Sequence, residues 1–430
     1  MIEQVLVISM GTADTIMVSS AGEFAISAVN IVDNINNLFI IAFTALSAGG
    51  AVIVSQYIGR QDYKNSSVAA KQLILIVTII SLCVMAVIIP LRRPIISLIY
   101  GSLEDDVMYA AALYFFVIGL SYPFLALQNA NAALFRAIGN SKTPMYIALL
   151  TNILKICLNA AFIFAMGLGV FGAALSTLIC RIIAAVITTV MHYRNPRSPV
   201  SLSGVFRTRL FRPMIKNILN VGVPGGLESS IFFVGRLLTQ RIFPVFGTAA
   251  IAANAITSTV NSFSFMPGTA YGLALITIVG QCVGAGNYEE AKRQTRKMMI
   301  LAYITMVAVS AAIFIFMEPL VGLFGLSPEA VSLAVSFLRV HCISMALGWA
   351  MGFILPNALR AAGDVRFVMF ASVISMWTVR VACAYLFAFT LRLGPMGVWL
   401  GMGADFFVRG TLFCYRWISG KWQGKKVIDS

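Results

Sequence analysis

Charge is scarce in this chain. Only 11% of its 430 residues are Asp, Glu, Lys or Arg, where a soluble domain carries about 25%. Histidine is nearly missing: His192 and His341 are the only two, which argues against a histidine metal centre. The seven cysteines are scattered without paired spacing, mostly in apolar segments. They are read as small core hydrophobes, not as disulfides or metal ligands. The GxxxxGK[ST] pattern that cradles nucleotide phosphates does not occur, so ATP drive is not expected. No acidic pair, His cluster or Ser/His/Asp grouping falls at one membrane surface, and an enzyme is not expected. The start lacks a basic n-region and carries Asp14 within its apolar run, so no cleaved signal peptide is expected.

What the chain has is apolar surface: 59% hydrophobic residues and a mean hydropathy of +0.89. This is the composition of an all-α polytopic membrane protein. At roughly 30–35 residues per span and loop, it holds about a dozen helices. Apolar runs bounded by polar, Gly or Pro turns place them at 2–20, 25–56, 67–90, 105–131, 142–166, 170–193, 214–244, 248–282, 294–317, 328–357, 365–391 and 396–419. Pro123, Pro224, Pro267 and Pro356 are expected to bend the spans that hold them.

Lys and Arg exceed Asp and Glu by 15. In a membrane chain this reads as basic cytoplasmic loops, not as a nucleic-acid surface. Alternate loops bear it out in their composition. One set holds Arg60, Lys64 and Lys71, then Arg136 and Lys142, Arg194 to Lys216, Lys292 to Lys297, and Arg360 and Arg366. The tail, with Lys421, Lys425 and Lys426, falls on the same side; the other set has little beyond Arg92, Arg93 and Arg392. Both termini are therefore expected in the cytoplasm of a cell with a prokaryotic-type inner membrane. The loop at 192–216 carries six Arg and Lys residues. It divides the chain into a bundle at 1–193, a basic linker at 194–213 and a second bundle with tail at 214–430.

The two bundles repeat one another at an offset of about 225. GEFAISAV (22–29) matches GTAAIAAN (247–254), and VSQYIGRQDY (54–63) matches VGQCVGAGNY (279–288). LFRAIGNSK (134–142) matches ALRAAGDVR (358–366), and GVFGAA (169–174) matches GPMGVW (394–399). Six spans per half is an even number. The halves therefore share one orientation, related by a pseudo-two-fold axis along the membrane normal, and alternating access between halves is the expected mode of transport.

ADTIMVS followed by AISAV, the turns VSQYIG and VGQCVGAGNYEEA, and GVPGGLE opening the seventh span resemble the signatures of the multidrug and toxic compound extrusion (MATE) family, of the MOP superfamily. The resemblance runs over essentially the whole chain. It implies a secondary transporter that exports organic compounds against a proton or sodium gradient, with no other cofactor. The implied cargo is small, organic and amphipathic; membrane lipids are the other partners, and a monomer is expected. Two departures stand out. The family's N-x-x-x-D element on the fifth span aligns with NILKICLN (152–159). Lys155 then stands for the Asn and Asn159 for the Asp, in the segment that begins with Asn152. Thirteen residues precede Asp14, fewer than is usual in the family, so the first span is short or the start is trimmed.

An ionisable group at bilayer depth costs about 2.5–3.5 kcal/mol. Four acids fall inside the spans: Asp14, Asp33, Glu228 and Asp405. Seven bases do: Lys155, Arg181, Arg236, Arg241, Arg339, Arg380 and Arg409. Counting along the helices sets Asp14, Asp33, Lys155 and Asn159 in one outward half of the first bundle. Asp14 is the expected coupling carboxylate, with a proton favoured over sodium because Lys155 would compete for its field; a static ion pair is the structural alternative. Glu228, near mid-membrane on the seventh span, joins Arg236, Arg380 and Asp405 as candidates for the substrate cavity. Glu228 has its own structural alternative, a pair with an arginine of the tenth, eleventh or twelfth span. The excess of bases leaves a second function open, a flippase or exporter for anionic or lipid-linked substrates.

Overall fold

The computed structural model describes residues 17–18, 23–101, 103–194, 199–425 and 427–428. The first expected span, with Asp14, lies outside them apart from Met17 and Val18. The described residues form helices and no strand. They are α1 (Glu23–Gly59), α2 (Tyr63–Tyr100), α3 (Asp105–Leu120), α4 (Tyr122–Ala137), α5 (Lys142–Ala165), α6 (Gly169–Tyr193), α7 (Arg212–Gln240), α8 (Thr248–Ser264) and α9 (Met266–Gly284). Then come α10 (Tyr288–Ile315), the short α11 (Met317–Gly322), α12 (Pro328–Ala361), α13 (Val365–Thr390) and α14 (Met396–Ile418). Nine helices among the described residues are long and apolar enough to cross a membrane, and the bent pair α3–α4 makes a tenth. At 23 residues, α14 has the length to cross as well, although it carries Asp405, Arg409 and Arg416.

Most boundaries fall within four residues of those the sequence implies. The largest difference is at α2, which runs on to Tyr100 through Pro90 and Pro94. Each proline removes one backbone donor. The carbonyls so left are those of Ala86 and Pro90; between the two prolines Arg92 Nη1 adds a bond to the Ile89 carbonyl at 2.6 Å. Of the prolines expected to bend spans, Pro123 follows the 46° bend at Ser121 and Pro267 follows the break at Phe265. Pro356 follows a stretch of π-helical turns, Met345–Ile354. Pro224 breaks nothing; α7 continues through it.

The repeat is visible atom by atom. At the end of α1 the Asp62 N–H donates to the Tyr57 carbonyl and the Gln61 N–H to Ile58, both at 2.9 Å. At the end of α9 the Asn287 N–H donates to Cys282 at 2.9 Å and the Gly286 N–H to Val283 at 3.0 Å. This is the helix-ending motif that needs a left-handed residue. Asp62 and Asn287 then cap the next helices, accepting from the backbone N–H groups of Asn65 and Glu290. The Asn65 backbone and side-chain N–H groups hold the Asp62 carboxyl below the usual carboxylate range. Gly286 supplies the left-handed conformation at φ 72°, whereas Gln61 adopts it at φ 62°. A side chain there costs about 1–2 kcal/mol, partly offset in glycine by about 0.5–1 kcal/mol of chain entropy. Gln61→Gly is therefore expected to stabilise the protein by about 0.5 kcal/mol. A thermal-unfolding midpoint that fell in this variant would contradict the account.

Small residues set the close approaches. A Cβ on Gly49 would lie 2.6 Å from the Gly222 backbone nitrogen, so α1 and the start of α7 touch backbone to backbone. In the repeat-related pair, Gly172 abuts Phe162 and Gly397 abuts the Ala388 backbone. The chain divides into two compact units, the first ending at Gly226 and the second beginning at Leu227. That division falls inside α7, whereas the sequence sets its linker at 194–213. One bond pair ties the basic loop into the first unit: the buried Gln72 side chain donates to the Arg209 carbonyl at 2.8 Å and accepts from the Phe211 N–H at 3.1 Å.

Candidate functional site

In the first unit, α5 carries Asn152, Lys155 and Asn159 at i, i+3 and i+7, the spacing of one helix face. All three are buried, Lys155 to 5% exposure. Ser176 on α6 donates to Asn159 Oδ1. Asp33 lies on α1, half-buried, and accepts from the Tyr114 hydroxyl of α3 at 3.5 Å. Tyr122, at the bend between α3 and α4, is within electrostatic reach of Asp33 and of Arg181. Arg181 on α6 donates to Ser121 Oγ at 2.6 Å. The structure thus puts three of the five expected coupling residues on one buried face and a fourth, Asp33, on α1 of the same unit. The fifth, Asp14, is outside the described residues.

The second unit gathers its charges around one carboxylate. Asp405, on α14, has no exposed surface. It accepts from Ser375 Oγ at 2.6 Å and from Arg409 Nη2 at 3.3 Å to each oxygen. Arg380 stands at 3.9 Å. Arg409, one turn along from Asp405, lies over the rings of Phe232 and Phe353, both at 4.9 Å. Arg380 lies over Phe232 at 5.3 Å. Such stacking suits guanidinium groups out of water. Ser375 and Arg380 belong to a second π-helical stretch, Ser375–Val381, in α13. Asp405 is therefore an internal counter-ion and not a cavity wall. Arg236 and Arg380 do line a cavity, a small one of about 40 Å³.

Glu228 is buried and forms an ion pair with Arg360 at 2.7 Å. Arg360 also donates to Asn357 Oδ1 at 2.9 Å, and the Asn357 amide donates to the Phe353 carbonyl. Glu228 thus makes the ion pair that was its structural alternative. Its partner comes from the last turn of α12.

Sequence inspection missed a further pair. Asp364, which caps the turn after α12, accepts from Arg416 Nε at 2.6 Å and Nη2 at 3.2 Å. The repeat offered the signal: Asn140 holds the related turn in the first unit, through Thr143, and Asp364 replaces it with a charge. The two histidines are both buried in packing. His192 stacks on Phe135 at 3.7 Å, and His341 meets Ser264 Oγ at 2.8 Å beside Trp399.

Comparison with known proteins adds the lineage. The MatE family model matches residues 1–161 and 224–386, one block in each half. The uncharacterized transporter YisQ of Bacillus subtilis (strain 168) is 30% identical over 428 residues, covering 99% of this chain and 93% of YisQ. A probable multidrug resistance protein NorM of Thermotoga maritima is 30% identical over 434 residues, covering 99% of this chain and 91% of that protein. A crystal structure of MATE in the bent conformation superposes with a TM-score of 0.90 at 20% identity, over 98% of this chain and 93% of that one. A MOP superfamily transporter from Pyrococcus furiosus Vc1, described as having a binding pocket of reverse polarity that suggests a different function, superposes with a TM-score of 0.91 at 20% identity. That match covers 99% of this chain and 94% of the other. The two structures establish the twelve-helix fold, and the matched blocks and full-length relatives establish the lineage. This chain belongs to the multidrug and toxic compound extrusion (MATE) family of membrane transporters.

Proposed function

We propose that this protein exports small amphipathic organic compounds across the cell membrane by alternating access, in exchange for protons. Asp14 is the coupling carboxylate, and both termini are cytoplasmic. The observation that carries the choice of ion is Lys155. It is buried on the α5 face it shares with Asn152 and Asn159. An ammonium there would neutralise part of the field that a sodium ion needs, and would leave a carboxylate that works by gaining and losing a proton.

The test uses inverted membrane vesicles containing the protein, with a proton gradient or a sodium gradient imposed separately. Ethidium uptake is expected with the proton gradient alone and is expected to vanish in Asp14→Asn. Sodium-driven uptake would overturn the choice of ion. No uptake under either gradient, in vesicles shown to hold folded protein, would favour the second function, movement of anionic or lipid-linked cargo. The surplus of arginines inside the second unit supports that second function.

A further inference from the structure

We infer that the second unit holds a built-in anion site, formed by Arg236 and Arg380 at the small cavity between α7, α8, α13 and α14, that takes the phosphate or carboxylate of an amphipathic ligand. Two arginines, Arg380 and Arg409, share one carboxylate, Asp405, and a third, Arg236, lines the cavity beside Arg380. Arg409 takes most of that carboxylate, with a contact to each oxygen at 3.3 Å. Arg380 keeps only a 3.9 Å approach. The Arg236 guanidinium makes no hydrogen bond or ion pair among the described residues; the residue is exposed and lines the cavity. Two guanidinium groups thus face the cavity without a full partner among the described residues.

The rest of the lining suits an oxyanion. Asn254, Asn261 and Ser258 offer neutral donors, and no Asp or Glu lines the cavity. Its 40 Å³ is room for about three waters, at 10–15 Å³ each, or for one oxyanion group. Guanidinium forks match such groups with paired hydrogen bonds. Trp399, packed against Phe337 and His341, forms part of the same wall and reports on the cavity. The inference rests on the transport reading only for the ligand's being cargo; binding is measured without transport, so the two fail separately.

The experiment measures quenching of Trp399 emission in purified protein, held in nanodiscs of phosphatidylcholine, on titration with octyl phosphate. Trp399→Phe identifies the signal. Saturable quenching is expected, weakened at least tenfold in Arg236→Gln and in Arg380→Gln. Arg339→Gln, an exposed arginine of α12 outside the cavity, is expected to bind as the parent does. Inorganic phosphate reproducing the same variant pattern would support the site and make a free anion its occupant. Loss of the octyl phosphate signal in phosphatidylglycerol nanodiscs would support it with a lipid headgroup as occupant. Octyltrimethylammonium binding as tightly as octyl phosphate would overturn the inference. So would unchanged affinity in Arg236→Gln, a cavity-exposed position whose fold is checked by an unaltered unfolding midpoint.

Discussion

Asp405→Ala is expected to destabilise the second unit by about 3–5 kcal/mol, the scale for removing one partner of a buried ion pair. Three consequences follow from the one deletion. Arg409, almost fully enclosed, loses the one carboxylate it meets among the described residues and keeps the Ser372 carbonyl at 3.3 Å and two ring faces. Arg380 loses its 3.9 Å partner. Ser375 Oγ loses the acceptor it meets at 2.6 Å. Asp405→Asn keeps an acceptor for Ser375 but not the charge, so it is expected to recover only a minor part. A paired change, Asp405→Leu with Arg409→Met, removes donor and acceptor together and is expected to lie closer to the parent than either single change. The measurement is the thermal-unfolding midpoint of detergent-purified protein, with the monodisperse fraction on size exclusion as a second readout. An unchanged midpoint in Asp405→Ala would mean that the arginines do not depend on this carboxylate.

The outline of the helices was legible because the bilayer is an exacting solvent. Every backbone group must be satisfied within a helix, so an apolar run bounded by polar turns has one outcome. The turns were legible for a related reason. The duplication repeats the capping residue, Asp62 in GRQDY and Asn287 in GAGNY, and the second copy marks the left-handed position with Gly286 where the first has Gln61. What failed at α2 was local: prolines read as stops, and Arg92 reaches back to a carbonyl where no sequence pattern announces it. The π-helical stretches in α12 and α13 were likewise hidden. They depend on how Phe353 and Arg380 pack against α7 and α14, a tertiary matter.

The charges show the same limit more sharply. Composition alone says that each intramembrane charge needs a partner, and it names the candidates. It does not say who pairs with whom. Asp405 and Arg409 sit four residues apart on one helix, a spacing that implies contact. Glu228 and Arg360 are separated by 132 residues, and nothing local connects them. The consequence for function is direct. Two of the four residues expected to face a substrate, Glu228 and Asp405, are engaged in internal ion pairs, and the two that line the cavity are both arginines.

Lys155→Asn is expected to change which ion drives transport. In the parent, the α5 face presents a buried ammonium between two carboxamides, Asn152 and Asn159. An ammonium stabilises a nearby carboxylate by Coulomb attraction and competes with any metal cation for it. With Asn at 155 the competitor is gone, and the face becomes three carboxamides that supply neutral oxygen ligands of the kind alkali and alkaline-earth cations accept. Proton-driven uptake in inverted vesicles is expected to fall at least tenfold in Lys155→Asn, and sodium-driven uptake, expected to be absent in the parent, is expected to appear. Lys155→Arg keeps the charge and is expected to keep proton drive at reduced rate. The carboxylate proposed for coupling is Asp14, so Lys155→Asn combined with Asp14→Asn is expected to abolish uptake under both gradients. If Lys155→Asn retained full proton-driven transport, Lys155 would be a structural cation whose charge plays no part in coupling, and the choice of proton over sodium would lose its physical basis.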